Sequence, residues 1–176
     1  MSAPCPVPRP AADEYASFYG RYVALVVEDG LAALRELAHS TPPRLSRTSE
    51  SQAAFRYAPG KWSVRQVVGH CCDVERVFAY RALRIARADA TPLPGFDEDA
   101  WAGAAGADAR ALSDLVAEYR AVRAATLALF GTFDDAAYAR CGTANGHRIS
   151  VRALAYVIAG HERAHVAALR ERYGLA

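Results

Sequence analysis

The sequence contains no apolar run of the roughly 18–20 residues a bilayer crossing needs, which removes a membrane-spanning role. It has no block of like charge. With 21 Lys+Arg against 19 Asp+Glu the formal charge is only +2 and the signs are interleaved, so nothing favours nucleic acid or an anionic membrane as partner. Residues 1–10 lack the apolar stretch of a signal peptide. Four of those ten residues are proline, which points to a disordered tail over residues 1–11 and to a cytoplasmic protein by default. The cysteines, Cys5, Cys71, Cys72 and Cys141, form no Cys-x-x-Cys pair, and Cys71 and Cys72 project in different directions on a helix. A disulfide scaffold is excluded on that basis in a chain this long. Internal repeats, low-complexity tracts and strand-like alternation are absent too.

What is present is helical periodicity. At 52% hydrophobic and 23% charged, residues 12–176 suit one domain with a real core. A first helix is expected from about Ala12 to His39, on the stripe Tyr15, Phe18, Tyr22, Leu25, Val26, Leu34 and Leu37. The prolines at 42 and 43 and the polar stretch to Gly60 read as loop. A second helix opens at Ser63, with Gln66 completing a capping box, and fades near Asp89. A loop from Thr91 carries Phe96-Asp97-Glu98 and Trp101. A third helix is expected from about Asp108 to Phe130, and a short turn near Asp134–Arg140. Gly142–Arg148 reads as a polar loop. The last helix starts at the N-cap Ser150 and ends at Gly174. The fold class is therefore all-α, a four-helix bundle.

The inward stripe of the last helix is Val151, Leu154, Ile158, His161, His165 and Ala168, with steps of three and four. Two histidines thus occupy core positions four residues apart on one face. His70, three after Val67, faces the core of the second helix. Adjacent buried imidazoles are hard to satisfy, and a divalent ion resolves this by taking one nitrogen from each ring. Three imidazoles suit Zn²⁺ or Ni²⁺ and leave positions open, as catalytic sites do. Asp73 and Glu162 are candidate partners for the rings or candidate bases. His39 reads as a helix-end residue and His147 as surface. Tyr22, Phe78, Tyr119 and Trp101 are expected to wall the open position. His161-Glu162-Arg163-Ala164-His165 fits the H-E-x-x-H string of zinc peptidases. It lies too near the C-terminus for their downstream ligand, and no strand is available to hold a peptide.

The run Lys61-Trp62-Ser63-Val64-Arg65-Gln66-Val67-Val68-Gly69-His70, continuing through Asp73, Tyr80 and Arg81, resembles the second helix of the DinB-like superfamily, above all its YfiT-like branch. Phe96-Asp97-Glu98-Asp99-Ala100-Trp101 and Ser150 to His165 resemble its later segments. The resemblance implies up-down-down-up connectivity, a metal on His70, His161 and His165, and a homodimer. It also implies low-molecular-weight thiol S-transfer (bacillithiol, mycothiol or glutathione) or metal-dependent hydrolysis. Glu75 stands near the place where the branch often has a further His, and Ala164 where many relatives read His.

Three functions follow as expectations. The first is metal-dependent transfer of a thiol to a small-molecule electrophile, the thiol as co-substrate, with Arg81 holding a carboxylate of the thiol. The second is hydrolysis by metal-activated water, with Glu162 or Asp73 as base. The third is a non-catalytic bundle that senses metal or stress.

Overall fold

The computed structural model describes residues 6–175. Four long helices, α2 (Gly30–Ser46), α4 (Val64–Ala86), α6 (Leu112–Phe130) and α8 (Val151–Tyr173), form the bundle. Shorter ones are α1 (Gly20–Val23), α3 (Glu50–Ala54), α5 (Glu98–Ala104) and α7 (Asp135–Ala139). Among the described residues, no helix is long and apolar enough to cross a membrane.

Helices α2 and α4 each pack against both α6 and α8. The contacts give the directions. Leu34 and Leu37 of α2 meet Arg123 and Tyr119 of α6 through their carbonyls, so these two helices are antiparallel. Ser63 meets Asp108 just before α6, and Glu75 meets Arg123, so α4 and α6 run parallel. Trp62 meets Tyr173 while His70 meets His161, so α4 and α8 are antiparallel. The bundle is up-down-down-up, and residues 87–111 return the chain along its length.

The caps were legible. Ser63 and Gln66 close the capping box of α4, and Ser150 Oγ accepts the Ala153 N–H at 3.0 Å. The first helix differs from expectation. Residues 12–29 break into two 3-10 turns, Ala12–Glu14 and Ser17–Tyr19, followed by α1, and α2 starts only where Asp29 Oδ1 accepts the Ala32 N–H. The stripe has helical spacing, but α1 is held by α8. At Gly160 a β-carbon would lie 2.0 Å from the Tyr22 carbonyl oxygen, so only glycine admits this approach. Helix α2 then runs through Pro42 and Pro43. The carbonyls they leave free are on Ala38 and the exposed His39, and the buried faces of Thr41, Pro42 and Leu45 offset the lost hydrogen bonds.

Gly142–Arg148 is a hairpin instead of a loop. β1 (Cys141–Ala144) pairs antiparallel with β2 (His147–Ser150), and Asn145-Gly146 turn with φ of 50° and 74°, the conformation this dipeptide favours. Leu93 bonds to its edge through Thr143 and Asn145. Strands of four residues are too short for periodicity to reveal. Of the expected tail, residues 1–5 lie outside the described residues. Val7 is buried, and its carbonyl accepts the Tyr156 hydroxyl at 3.1 Å.

Candidate metal centre

His70, three turns before Arg81 on α4, faces His161 and His165 on α8, as the seam spacing requires. His161 Nε2 lies 3.1 Å from His70 Nε2 and 3.1 Å from His165 Nε2. All three candidate ligand atoms fall within 4.8 Å of one another. Ligands about 2.0–2.1 Å from a tetrahedral ion would be about 3.3 Å apart, so the spacing suits one ion between the rings. The donor set fits as well. His70 and His161 are buried, and a cation between three nitrogens turned toward one another would take a lone pair from each ring.

The electrostatics keep the rings neutral. Burial, and then the charge on His165, push His70 down to about 3. Burial, and then Arg21, push His165 down to about 4. Burial drives His161 well below its usual value, with His165 and His70 adding to the effect. The sign follows. Folded imidazoles stay neutral while unfolded ones take up protons below about 6.5. The fold stripped of metal therefore keeps its full stability above that pH and loses it on acidification. The loss is on the order of 2 kcal/mol per imidazole at about pH 5. Urea melts of chelator-treated protein between about pH 7 and pH 5 should show it, and a flat profile would mean the rings are not buried neutral.

Aromatic rings fix the imidazoles. The Trp62 ring centre is 4.6 Å from His70 and 6.5 Å from His165, in the latter case stacked. Tyr22 meets His161 edge-on at 5.3 Å. Among the described residues, two sizeable chambers reach the cluster, besides a void of ≈ 20 Å³ beside His165. One, of ≈ 630 Å³, is lined by His165, Trp62, Arg56, Lys61 and Arg172. The other, of ≈ 220 Å³, is lined by His161, Tyr22, Phe78, Arg81 and Asn145. Glu98 of α5 lines both.

Of the expected wall, Tyr22 and Phe78 are in place. Tyr119 instead gives its hydroxyl to Glu162 at 2.7 Å, and Trp101 packs on Phe96 away from the histidines. Glu162 turns its side chain to other partners than the imidazoles. Its carboxylate accepts from Thr41, Tyr119 and Arg123. Asp73 is ion-paired with Arg76 at 3.3 Å. The exposed His147 packs on Phe18, Cys141 is exposed, and burial pushes the Cys72 thiol up to about 12. Sequence reasoning missed Trp62 and Glu98 as site residues. It also missed the buried trio Glu75–Arg123–Glu162, in which Arg123 bonds Glu75 twice at 2.8 Å. The signal was there, since all three charges sit at inward positions of their helices.

The DinB superfamily model matches residues 33–169, which include all three histidines, the whole of α4 and α8 as far as Leu169. The chain belongs to the DinB superfamily. A relative from Bacillus licheniformis, whose name assigns it provisionally to the metal-dependent hydrolases, is 31% identical over 156 residues, 84% of this chain and 87% of its own. One from Geobacillus thermodenitrificans, named in the same way, is 30% identical over 155 residues, 84% and 86%. Among solved structures, YfiT from Bacillus subtilis superposes with a TM-score of 0.68 at 20% identity, covering 96% of this chain and 95% of that one. Its description is a provisional metal-dependent hydrolase with an unusual four-helix bundle topology, and the fold here is the same.

Proposed function

We propose that this chain is a metal-dependent S-transferase, joining a low-molecular-weight thiol to a small electrophile at an ion held by His70, His161 and His165. The observation that carries the reading is the approach of two separate chambers to one cluster, ≈ 630 Å³ at His165 and ≈ 220 Å³ at His161. Two substrates can then meet at the ion, whereas water needs no chamber of its own. A divalent ion there, Zn²⁺ or Ni²⁺, supplies Lewis acidity that lowers the pKa of a thiol or water brought to its open position.

The chain's own residues do the rest. Trp62 and Tyr22 hold the imidazole planes and exclude water from two sides of the cluster. The thiol gives up its proton and its sulfur bonds to carbon; a halide leaves with the bonding pair, or an epoxide's C–O bond opens and its oxygen keeps the pair, stays on the adjacent carbon and takes up a proton. Glu98, common to both chambers, is the acceptor for the thiol's proton.

Hydrolysis is the second reading. The names of the two curated relatives favour it, and Glu98 would then serve as base for water. Cobalt-substituted protein separates the two. Bacillithiol, mycothiol or glutathione at millimolar concentration is expected to shift the visible cobalt bands and to be conjugated to monochlorobimane or an epoxide. If none of the three shifts the bands and none is conjugated, the transferase reading fails.

A further inference from the structure

The smaller chamber holds a charge that the reading above does not use. Arg81 is only 2% exposed, yet among the described residues no carboxylate lies within ion-pairing distance of it. One Nη2 hydrogen bond goes to the Pro94 carbonyl at 2.6 Å. The guanidinium also meets the Tyr19 hydroxyl, a neutral partner, and lies over the rings of Phe78 and Phe96, at 5.4 and 5.9 Å. The other arginine buried as deeply among the described residues, Arg123, has two carboxylates. A buried cation with no counter-charge is costly unless a ligand supplies one.

Its place on the helix matters. Arg81 follows His70 by eleven residues, so the two share one face of α4 with Cα atoms about 16 Å apart along the axis. Both Arg81 and His161 line the ≈ 220 Å³ chamber, with Tyr19, Phe78 and Phe96 as its aromatic walls. Asn145 adds an amide, positioned by the hairpin turn: a β-carbon at Gly95 would lie 2.1 Å from its Oδ1, so Gly95 makes room for it.

We propose that Arg81, assisted by Asn145, anchors the carboxylate of a small aromatic or apolar acid whose other end reaches the three histidines. Arg81 is a positioning residue: the carboxylate is held at one end and the reacting atom is thereby presented at the other. The proposal deepens the function above by naming the substrate class, and it rests on that metal centre. The carboxylate belongs either to the electrophile or to the thiol.

The test is binding to the metal-loaded protein by calorimetry, with 3-phenylpropionate and its neutral amide as probes. The acid is expected to bind about tenfold or more tightly than the amide, the range of a hydrogen-bonded ion pair. Arg81→Gln should erase that preference and Arg81→Lys should keep part of it. Arg172→Gln, at an exposed position in the larger chamber, should leave it unchanged. Equal binding of acid and amide to the wild type overturns the proposal without any variant. So does a preference that survives Arg81→Gln, which would place the carboxylate on the ion, or one lost in Arg172→Gln, which would place it in the other chamber. Adding the thiol that supports conjugation assigns the source: competition with the probe puts the carboxylate on the thiol, and joint binding puts it on the electrophile. Acid preference without any thiol conjugation would overturn the transferase reading alone and keep Arg81 as the anchor of a hydrolase substrate.

Discussion

Replacement of His161 by alanine is expected to empty the centre. His161 is the ring that joins the other two, at 3.1 Å from each Nε2, and it is buried. Without it only two ligands remain, one on each helix, with Trp62 beside both. Groups that merely orient a metal ligand contribute about 10–100-fold to affinity, so loss of the ligand itself should exceed about 100-fold. Metal analysis after dialysis should fall from about one ion per chain to background, and conjugation or hydrolysis should fall with it. The fold should survive, because alanine is the best helix former and α8 is held along its length by α2, α4 and α1. The stripped variant should also lose less stability on acidification than the stripped wild type, since one neutral buried imidazole has gone. Full activity in His161→Ala would sink both enzymatic readings, and an unchanged metal content would remove His161 from the centre.

The candidate centre was legible because a helical seam is a strict pattern. Val151, Leu154 and Ile158 fix which face of α8 is buried, and His161 and His165 continue the same steps. The caps are equally local, and the Ser63–Gln66 capping box and the Ser150 N-cap placed the starts of α4 and α8 to the residue. What stayed hidden depends on partners remote in sequence. Residues 12–29 carry a helical stripe, yet the backbone breaks because Gly160 lets α1 sit against α8. The hairpin at 141–150 is held from outside by Leu93, and its four-residue strands give too few alternations to count. Glu162 reads locally as part of an H-E-x-x-H string. Only the neighbouring helices show that Thr41, Tyr119 and Arg123 take up its oxygens. Glu98 needed the crossover loop folded over the mouth before it met either chamber.

Arg123→Met is expected to be the most destabilising single change outside the metal ligands. Burial alone would lower the arginine, but Glu75 and Glu162 outweigh it and hold the guanidinium charged, so the trio carries one positive and two negative charges in the core. Removing the cation leaves two buried carboxylates facing each other. Breaking such a group from one side costs about 3–5 kcal/mol, and at about 2–4 °C per kcal/mol for a domain of this size that is roughly 6–20 °C in Tm. Lowering the pH gives a second reading of the same event: protons relieve the repulsion between two carboxylates left without their cation, so the deficit relative to wild type should narrow between about pH 7 and pH 5. A triple variant with Glu75→Gln and Glu162→Gln added should recover much of the loss, since neutral groups no longer require the cation. Because Glu162 adjoins His161, metal affinity should weaken in Arg123→Met and return in the triple variant, a response that simple loss of packing would not give. An unchanged Tm at pH 7 would contradict the buried network, and a deficit that widens on acidification would contradict the charge assignment within it.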